Sequence, residues 1–124
     1  MIVIDSSALI ALVRQEPGAD RVAAALEDGV VSAVILAESL GKLAAFKYDP
    51  QAVRDDLAAA GLRTASFEAS DVGAVVALHQ LASQRVSFAD RVCLAFALDR
   101  DLPVLTGDRA WADLDLPLEI ELIR

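Results

Sequence analysis

The sequence predicts a three-layer α/β domain around a mostly parallel sheet. Short β-branched runs such as Ile2-Val3-Ile4 and Val30-Val31 alternate with stretches rich in alanine and leucine, each long enough for a helix. That alternation is how strands joined by helical crossovers read in sequence. Apolar residues make up 56% of the 124 positions, enough for a real core in one domain and too many for a disordered chain. No repeat, low-complexity tract or linker interrupts the pattern, so residues 1–124 are expected to form one domain.

Residues 2–5 read as a short buried strand. Ser6-Ser7 offers a helix cap before Ala8–Val13, and Glu16-Pro17-Gly18 ends that helix. Asp20–Glu27 forms a second helix with Val22, Ala23 and Leu26 on one face; Gly29 breaks it, and Val30–Ser32 is the second strand. Ala33–Phe46 is a long helix stopped near Asp49-Pro50. Gln51–Ala60 follows and ends at Gly61, a C-cap. Arg63–Phe67 can be a third strand. Ser70–Gln84 is amphipathic, with Val72, Val75, Val76, His79 and Ala82 near helical spacing. Ser87–Asp99 is the next helix, Pro103–Leu105 the fourth strand, Arg109–Leu114 a helical turn, and Glu119–Ile123 a final alternating strand.

The composition excludes several classes. No apolar stretch approaches the roughly 18–20 residues of a membrane span. The opening Met1-Ile2-Val3-Ile4-Asp5 lacks the basic segment of a secretory signal, and the single Cys93 cannot form an internal disulfide, so a cytoplasmic protein is expected. A net charge of −8 disfavours a passive electrostatic nucleic-acid binder.

Four carboxylates stand where the predicted elements have least structural use for them. Asp5 ends the first strand, and Asp108 follows the fourth after Thr106-Gly107. Glu38 and Asp90 interrupt the apolar helical stretches Val34–Leu43 and Phe88–Leu98. Buried carboxylates are costly unless paired, hydrogen-bonded or metal-bound, so the four together point to one acidic pocket holding a divalent cation. Setting them aside halves the net charge, and a metal-dependent nuclease survives the charge objection. In open parallel sheets ligands collect at the carboxyl ends of strands, where Asp5 and Asp108 fall.

Each acid also has a structural reading. Asp5 could cap the next helix or make an Asx turn. Glu38 could pair with Lys42 at i,i+4, worth about 0.3–0.5 kcal/mol. Asp90 fits a capping box with Ser87, a role compatible with metal binding because a carboxylate has two oxygens. Asp108 could cap the turn through Trp111. Hard cations such as Mg²⁺ and Mn²⁺ prefer oxygen ligands and activate water for attack on phosphorus. With His79 the only histidine, no Ser-His-Asp or Cys-His arrangement competes and a multi-histidine zinc site is excluded; His79 reads as a packed or partly exposed residue. Cys93 reads as a small core hydrophobe. No P-loop or dinucleotide fingerprint occurs. A haloacid-dehalogenase-type phosphatase would want an aspartate where Ser7 stands, and the acidic pair and late lysine of a receiver domain are missing.

The segments Val3-Ile4-Asp5-Ser6-Ser7-Ala8-Leu9, Ser32-x-Val34-x-Leu36-x-Glu38, Ser87 to Ala95 and Pro103 to Trp111, in this order and spacing, resemble a PIN-domain protein. The likeness covers nearly the whole chain, which more specifically resembles the VapC-type toxin ribonucleases of toxin–antitoxin pairs. It implies a central five-stranded parallel sheet flanked by helices and Mg²⁺- or Mn²⁺-dependent cleavage of RNA. It carries the metal-site role onto Asp5, Glu38, Asp90 and Asp108, with Asp5 and Asp108 the first choice as direct ligands. Glu38 or Asp90 would ligate directly or hold metal-bound water, around one or two ions. Ser7 and Thr106 match positions where relatives place a hydroxyl beside the acids. Phe88-Ala89 departs from the Leu-Gly that many relatives carry before the acid. Asp113 and Asp115 have no counterpart and read as solvated turn acids.

Arg91 and Arg109 each follow a site acid and could meet RNA phosphates or form ion pairs. The resemblance further implies a VapB-like antitoxin partner whose arm could set a basic side chain against the pocket. Long apolar helices in a chain of this size point to a homodimer. Two alternatives stay open: a catalytically idle PIN-like interaction module, and a housekeeping PIN nuclease outside any toxin–antitoxin pair.

Overall fold

The five strands are β1 (Ile2–Ile4), β2 (Gly29–Ser32), β3 (Arg63–Ala65), β4 (Val104–Thr106) and β5 (Ile120–Leu122), in a computed structural model that describes residues 1–124. They form one sheet in the order β3-β2-β1-β4-β5. Every pairing is parallel, so the sheet is wholly rather than mostly parallel. Val3 sits opposite Val30 on one side and Val104 on the other. The central strands are apolar because they are covered on both faces: Val3, Ile4, Val31, Val104 and Leu105 are all buried. The chain runs outward from β1 to β3, then returns to β4 on the other side of β1. The strand order therefore reverses between β1 and β4, opening a crevice at their carboxyl ends.

Helices α1 (Ser6–Val13), α2 (Ala19–Ala25), α3 (Ala33–Ala45) and α4 (Pro50–Ala59) connect the first three strands; α5 (Val72–Val76) and α6 (Phe88–Arg100) lead back to β4. α3 starts where Ser32 accepts the Val34 N–H, and α4 where Asp49 accepts from Gln51 and Ala52. Asp49-Pro50 thus begins α4 as much as it ends α3, since a proline in the first helical turn lacks an N–H the helix does not need. Gly61 ends α4 in a left-handed conformation, φ +100°. α6 is apolar nearly all round because it is buried: Val92 through Ala97 lie in the core.

Three local expectations need correction. Ser6 and Ser7 do not cap α1 but lie inside it, and their hydroxyls turn to other partners. Asp20–Glu27 divides into α2 and a 3₁₀ turn at Leu26–Asp28. The helix expected over 70–84 is broken into a 3₁₀ turn (Ala69–Asp71), α5, and a second 3₁₀ segment (His79–Gln84). Gly73 and the β-branched Val72, Val75 and Val76 make it a weak helix former. Its buried residues are Val75, Leu78 and Leu81, while Val72, Val76 and His79 face solvent.

Gly18 joins α1 to α2 with φ +95°, and a Cβ there would lie 2.7 Å from the Ile123 carbonyl oxygen. Only glycine allows this close approach of the α1–α2 turn to the segment after β5. No helix is long and apolar enough to cross a membrane.

Candidate functional site

Asp5 leaves the core at the end of β1, next to Thr106 at the end of β4, because Ile4 is in register with Leu105. It occupies the position that caps α1, yet its side chain makes no capping bond. The carboxylate is 3% exposed and forms no ion pair. Its Oδ2 instead accepts two hydroxyls, from Ser7 at 2.7 Å and Thr106 at 2.9 Å. Each hydroxyl is fixed in turn: Ser7 Oγ accepts the Gly107 N–H at 2.8 Å, and Thr106 Oγ1 accepts the Asp108 N–H at 3.0 Å. With both hydroxyl hydrogens spent on Asp5, the 3.1 Å approach of Ser7 Oγ to Thr106 Oγ1 is a contact without a proton of its own.

Both bonds fall on Oδ2, leaving Oδ1 without a side-chain partner on a residue that lines a cavity of about 410 Å³. Burial raises the Asp5 pKa above its ordinary value. The hydroxyls of Ser7 and Thr106 pull the other way, and the charge of Asp90 raises it further.

The same cavity is lined by Glu38, Asp90 and Asp108, so all four predicted acids meet one space. Asp90 closes a reciprocal capping box: Ser87 Oγ accepts the Asp90 N–H at 3.1 Å, and Asp90 Oδ2 accepts the Ser87 N–H at 3.2 Å. Asp108 caps the 3₁₀ turn Arg109–Asp113 through the Ala110 N–H at 3.0 Å, rather than through Trp111. Glu38 is partly exposed and stands 3.9 Å from Lys42. The apolar residues around it do not bury it fully. Behind the cavity, the buried Ser39 hydroxyl lies 3.0 Å from Ser6 Oγ and donates to the Ile35 carbonyl at 2.7 Å. Burial pushes the thiol of Cys93 well above its usual pKa, with further contributions from Asp5, Asp90 and Glu38. Three of the four acids therefore act on one buried atom.

No three His, Cys, Asp or Glu side chains stand close enough to grip a bare ion together. The donor set nonetheless fits a hydrated hard cation. Such an ion keeps several waters and takes one or two carboxylates, and Asp5 supplies a buried carboxylate with no cationic partner and one oxygen without a side-chain hydrogen bond. Asp108, just past the neighbouring strand end, offers a second carboxylate, and Glu38 and Asp90, which line the same cavity, could accept from its water shell.

Arg91 and Arg109 do not line this cavity. Arg91 donates to the Ser87 carbonyl and lies over the Phe88 ring, and Arg109 donates to the Arg124 backbone oxygen. Neither forms the ion pair that was their structural alternative. The cavity does include Glu16, Lys42 and Arg124, which the sequence reading left out. Only the Glu38–Lys42 spacing gave a local hint of any of them.

The PIN domain family model matches residues 2–116. No curated protein matches the sequence closely. Among solved structures, a DNA-bound VapBC from Salmonella typhimurium is 16% identical, with a TM-score of 0.73 over 100% of both chains. VapBC2 from Rickettsia felis, bound to a fragment of its promoter DNA, is 15% identical with a TM-score of 0.72 over 98% of both. VapBC-5 from Mycobacterium tuberculosis, of the VapBC family of toxin–antitoxin systems, is 25% identical with a TM-score of 0.57 over 99% of this chain and 97% of that one. The distant pairs share the fold; the family rests on the sequence model, which spans nearly every element from β1 to the turn before β5. This chain belongs to the PIN domain family.

Proposed function

We propose that this protein is a Mg²⁺- or Mn²⁺-dependent endoribonuclease, the toxin of a VapBC-type toxin–antitoxin pair. The observation that carries the reading is the cavity at the carboxyl ends of β1 and β4, lined by Asp5, Glu38, Asp90 and Asp108. PIN membership and the likeness to chains from VapBC complexes support it. In this reading residues 1–124 are one PIN domain working in the cytoplasm as a homodimer, with RNA as substrate and a VapB-like antitoxin as partner.

A bound divalent ion would lower the pKa of a coordinated water and neutralise charge on the phosphoryl group. Asp5 and Asp108 would hold it directly, while Glu38 and Asp90 orient its waters. Ser7 and Thr106 fix the Asp5 carboxylate through Oδ2, leaving Oδ1 without a side-chain partner. The capping box holds Asp90 at the first turn of α6. Glu38, 3.9 Å from Lys42, can accept a hydrogen bond from a water in the cavity.

The experiment is cleavage of a mixed cellular RNA pool by antitoxin-free protein with Mn²⁺, beside an EDTA control. Metal-dependent fragmentation, lost in folded Asp5→Asn and Asp108→Asn proteins, is the expected result. Wild-type cleavage by those variants would sink the mechanism. The wide spacing of the acids favours one second reading, a catalytically idle interaction module, and failure of the wild type to cut any RNA would support it.

A further inference from the structure

The acidic cavity contains a guanidinium that no carboxylate neutralises. Arg124, just after β5, lines it together with Asp5, Ser7, Glu16 and Asp108, yet pairs with none of the acids. Its place is fixed from two sides. Nη1 donates to the Pro17 carbonyl in the α1–α2 turn at 2.9 Å, and its backbone oxygen accepts from Arg109 Nη1 at 3.3 Å. Gly107 lies between the two: a Cβ there would stand in van der Waals contact with both Arg124 Nη2 and Ser7 Oγ, each at 3.4 Å. Arg124 and the Ser7 that binds Asp5 thus both line the cavity at Gly107. The other cation lining the cavity, Lys42, stands 3.9 Å from Glu38.

A guanidinium has five N–H donors in a planar fork that matches two oxygens of a phosphate, and one hydrogen bond to Pro17 leaves the remainder available. A polyanion approaching four carboxylates is repelled, so a fixed cation at the same cavity is what an RNA strand needs on entry. We propose that Arg124 binds a phosphodiester of the RNA strand at the acidic cavity, with Arg109 positioning it through the backbone. This inference rests on the ribonuclease reading.

The test compares wild type, Arg124→Gln and Arg124→Lys. Binding of a fluorescein-labelled random-sequence RNA oligonucleotide is titrated against salt in an Asp90→Asn background with Mn²⁺. Steady-state cleavage is measured with Asp90 intact, and urea unfolding is followed for each variant. Arg124→Gln should make the salt slope shallower by about 0.7, the loss of one phosphate contact to a single strand. It should also raise KM about tenfold, with a smaller change in kcat. Arg124→Lys should restore the slope, because the charge is kept, while recovering only part of the affinity.

An Arg124→Gln protein with wild-type slope and KM overturns the proposal and leaves the ribonuclease reading standing. Reduced unfolding stability in both variants with an unchanged slope also overturns it, making Arg124 a clamp on the α1–α2 turn. A wild type that neither binds nor cuts RNA overturns both readings together.

Discussion

Thr106 Oγ1 lies 2.9 Å from Asp5 Oδ2, so the end of β4 gives its hydroxyl to the carboxylate that follows β1. Parallel pairing of β1 with β4 makes that bond possible between residues 101 positions apart.

Replacing Thr106 with valine keeps the shape and removes the donor. The Asp5 carboxylate then loses one of two hydroxyl partners in a buried place, at a cost of about 1.5–3 kcal/mol when ionised. Urea unfolding at neutral pH should show that loss, and carboxyl NMR should show the Asp5 pKa moving further upward. An unchanged pKa would mean that the hydroxyl does not serve the carboxylate.

Asp5 should penalise the metal-free fold at neutral pH. Its folded pKa is raised above the ordinary 3.8, so the native state binds its proton more tightly than the unfolded chain does. The stabilising contribution of protonated Asp5 is fully present below the unfolded pKa and is lost as pH rises through the folded one. Asp5→Asn abolishes this titration. In EDTA, the stability of wild type minus that of Asp5→Asn should fall across this window, leaving the variant relatively more stable at neutral pH than in acid. A difference that stays flat with pH would refute the burial effect.

Mg²⁺ or Mn²⁺ should reverse the penalty. An ion that binds only the native state adds about 2.7 kcal/mol at a hundredfold excess over its Kd. Calorimetry should show the wild-type Tm rising with metal and a smaller rise for Asp5→Asn. Flat titrations with both ions would remove the metal site.

Amide substitution at any one of Asp5, Glu38, Asp90 or Asp108 should lower RNA cleavage by on the order of 10²-fold or more, as expected for losing one preorganised charged group. Pairs of substitutions should cost less than the product of the single losses, because the residues act as a unit. Asp113, exposed and outside the acidic cavity, is the control, and Asp113→Asn should leave the rate unchanged.

The grouping of the four acids around one cavity was legible because each interrupts an apolar segment, and the alternation of elements located two of them at strand ends. The parallel sheet was legible for the same reason. Ser7 and Thr106 were harder, since small hydroxyls are ordinary anywhere and only the resemblance singled them out. Arg124 was invisible because its place at the cavity depends on β5 bringing it against the α1–α2 turn, a meeting of residues 107 positions apart. Residues 70–84 misled because their apolar spacing is helical, while Gly73 and the valines resist a continuous helix.

Gly18 will behave in a mutational scan like a member of the chemistry it never touches. Any side chain there meets both a disfavoured backbone and the wall formed by Ile123, and the resulting shift passes directly to Arg124, the next residue. Loss of activity on substitution at this position would therefore report a mechanical hinge-pin rather than a reacting group. Intolerance to substitution at Gly18 would then reflect backbone geometry and the packing of Ile123.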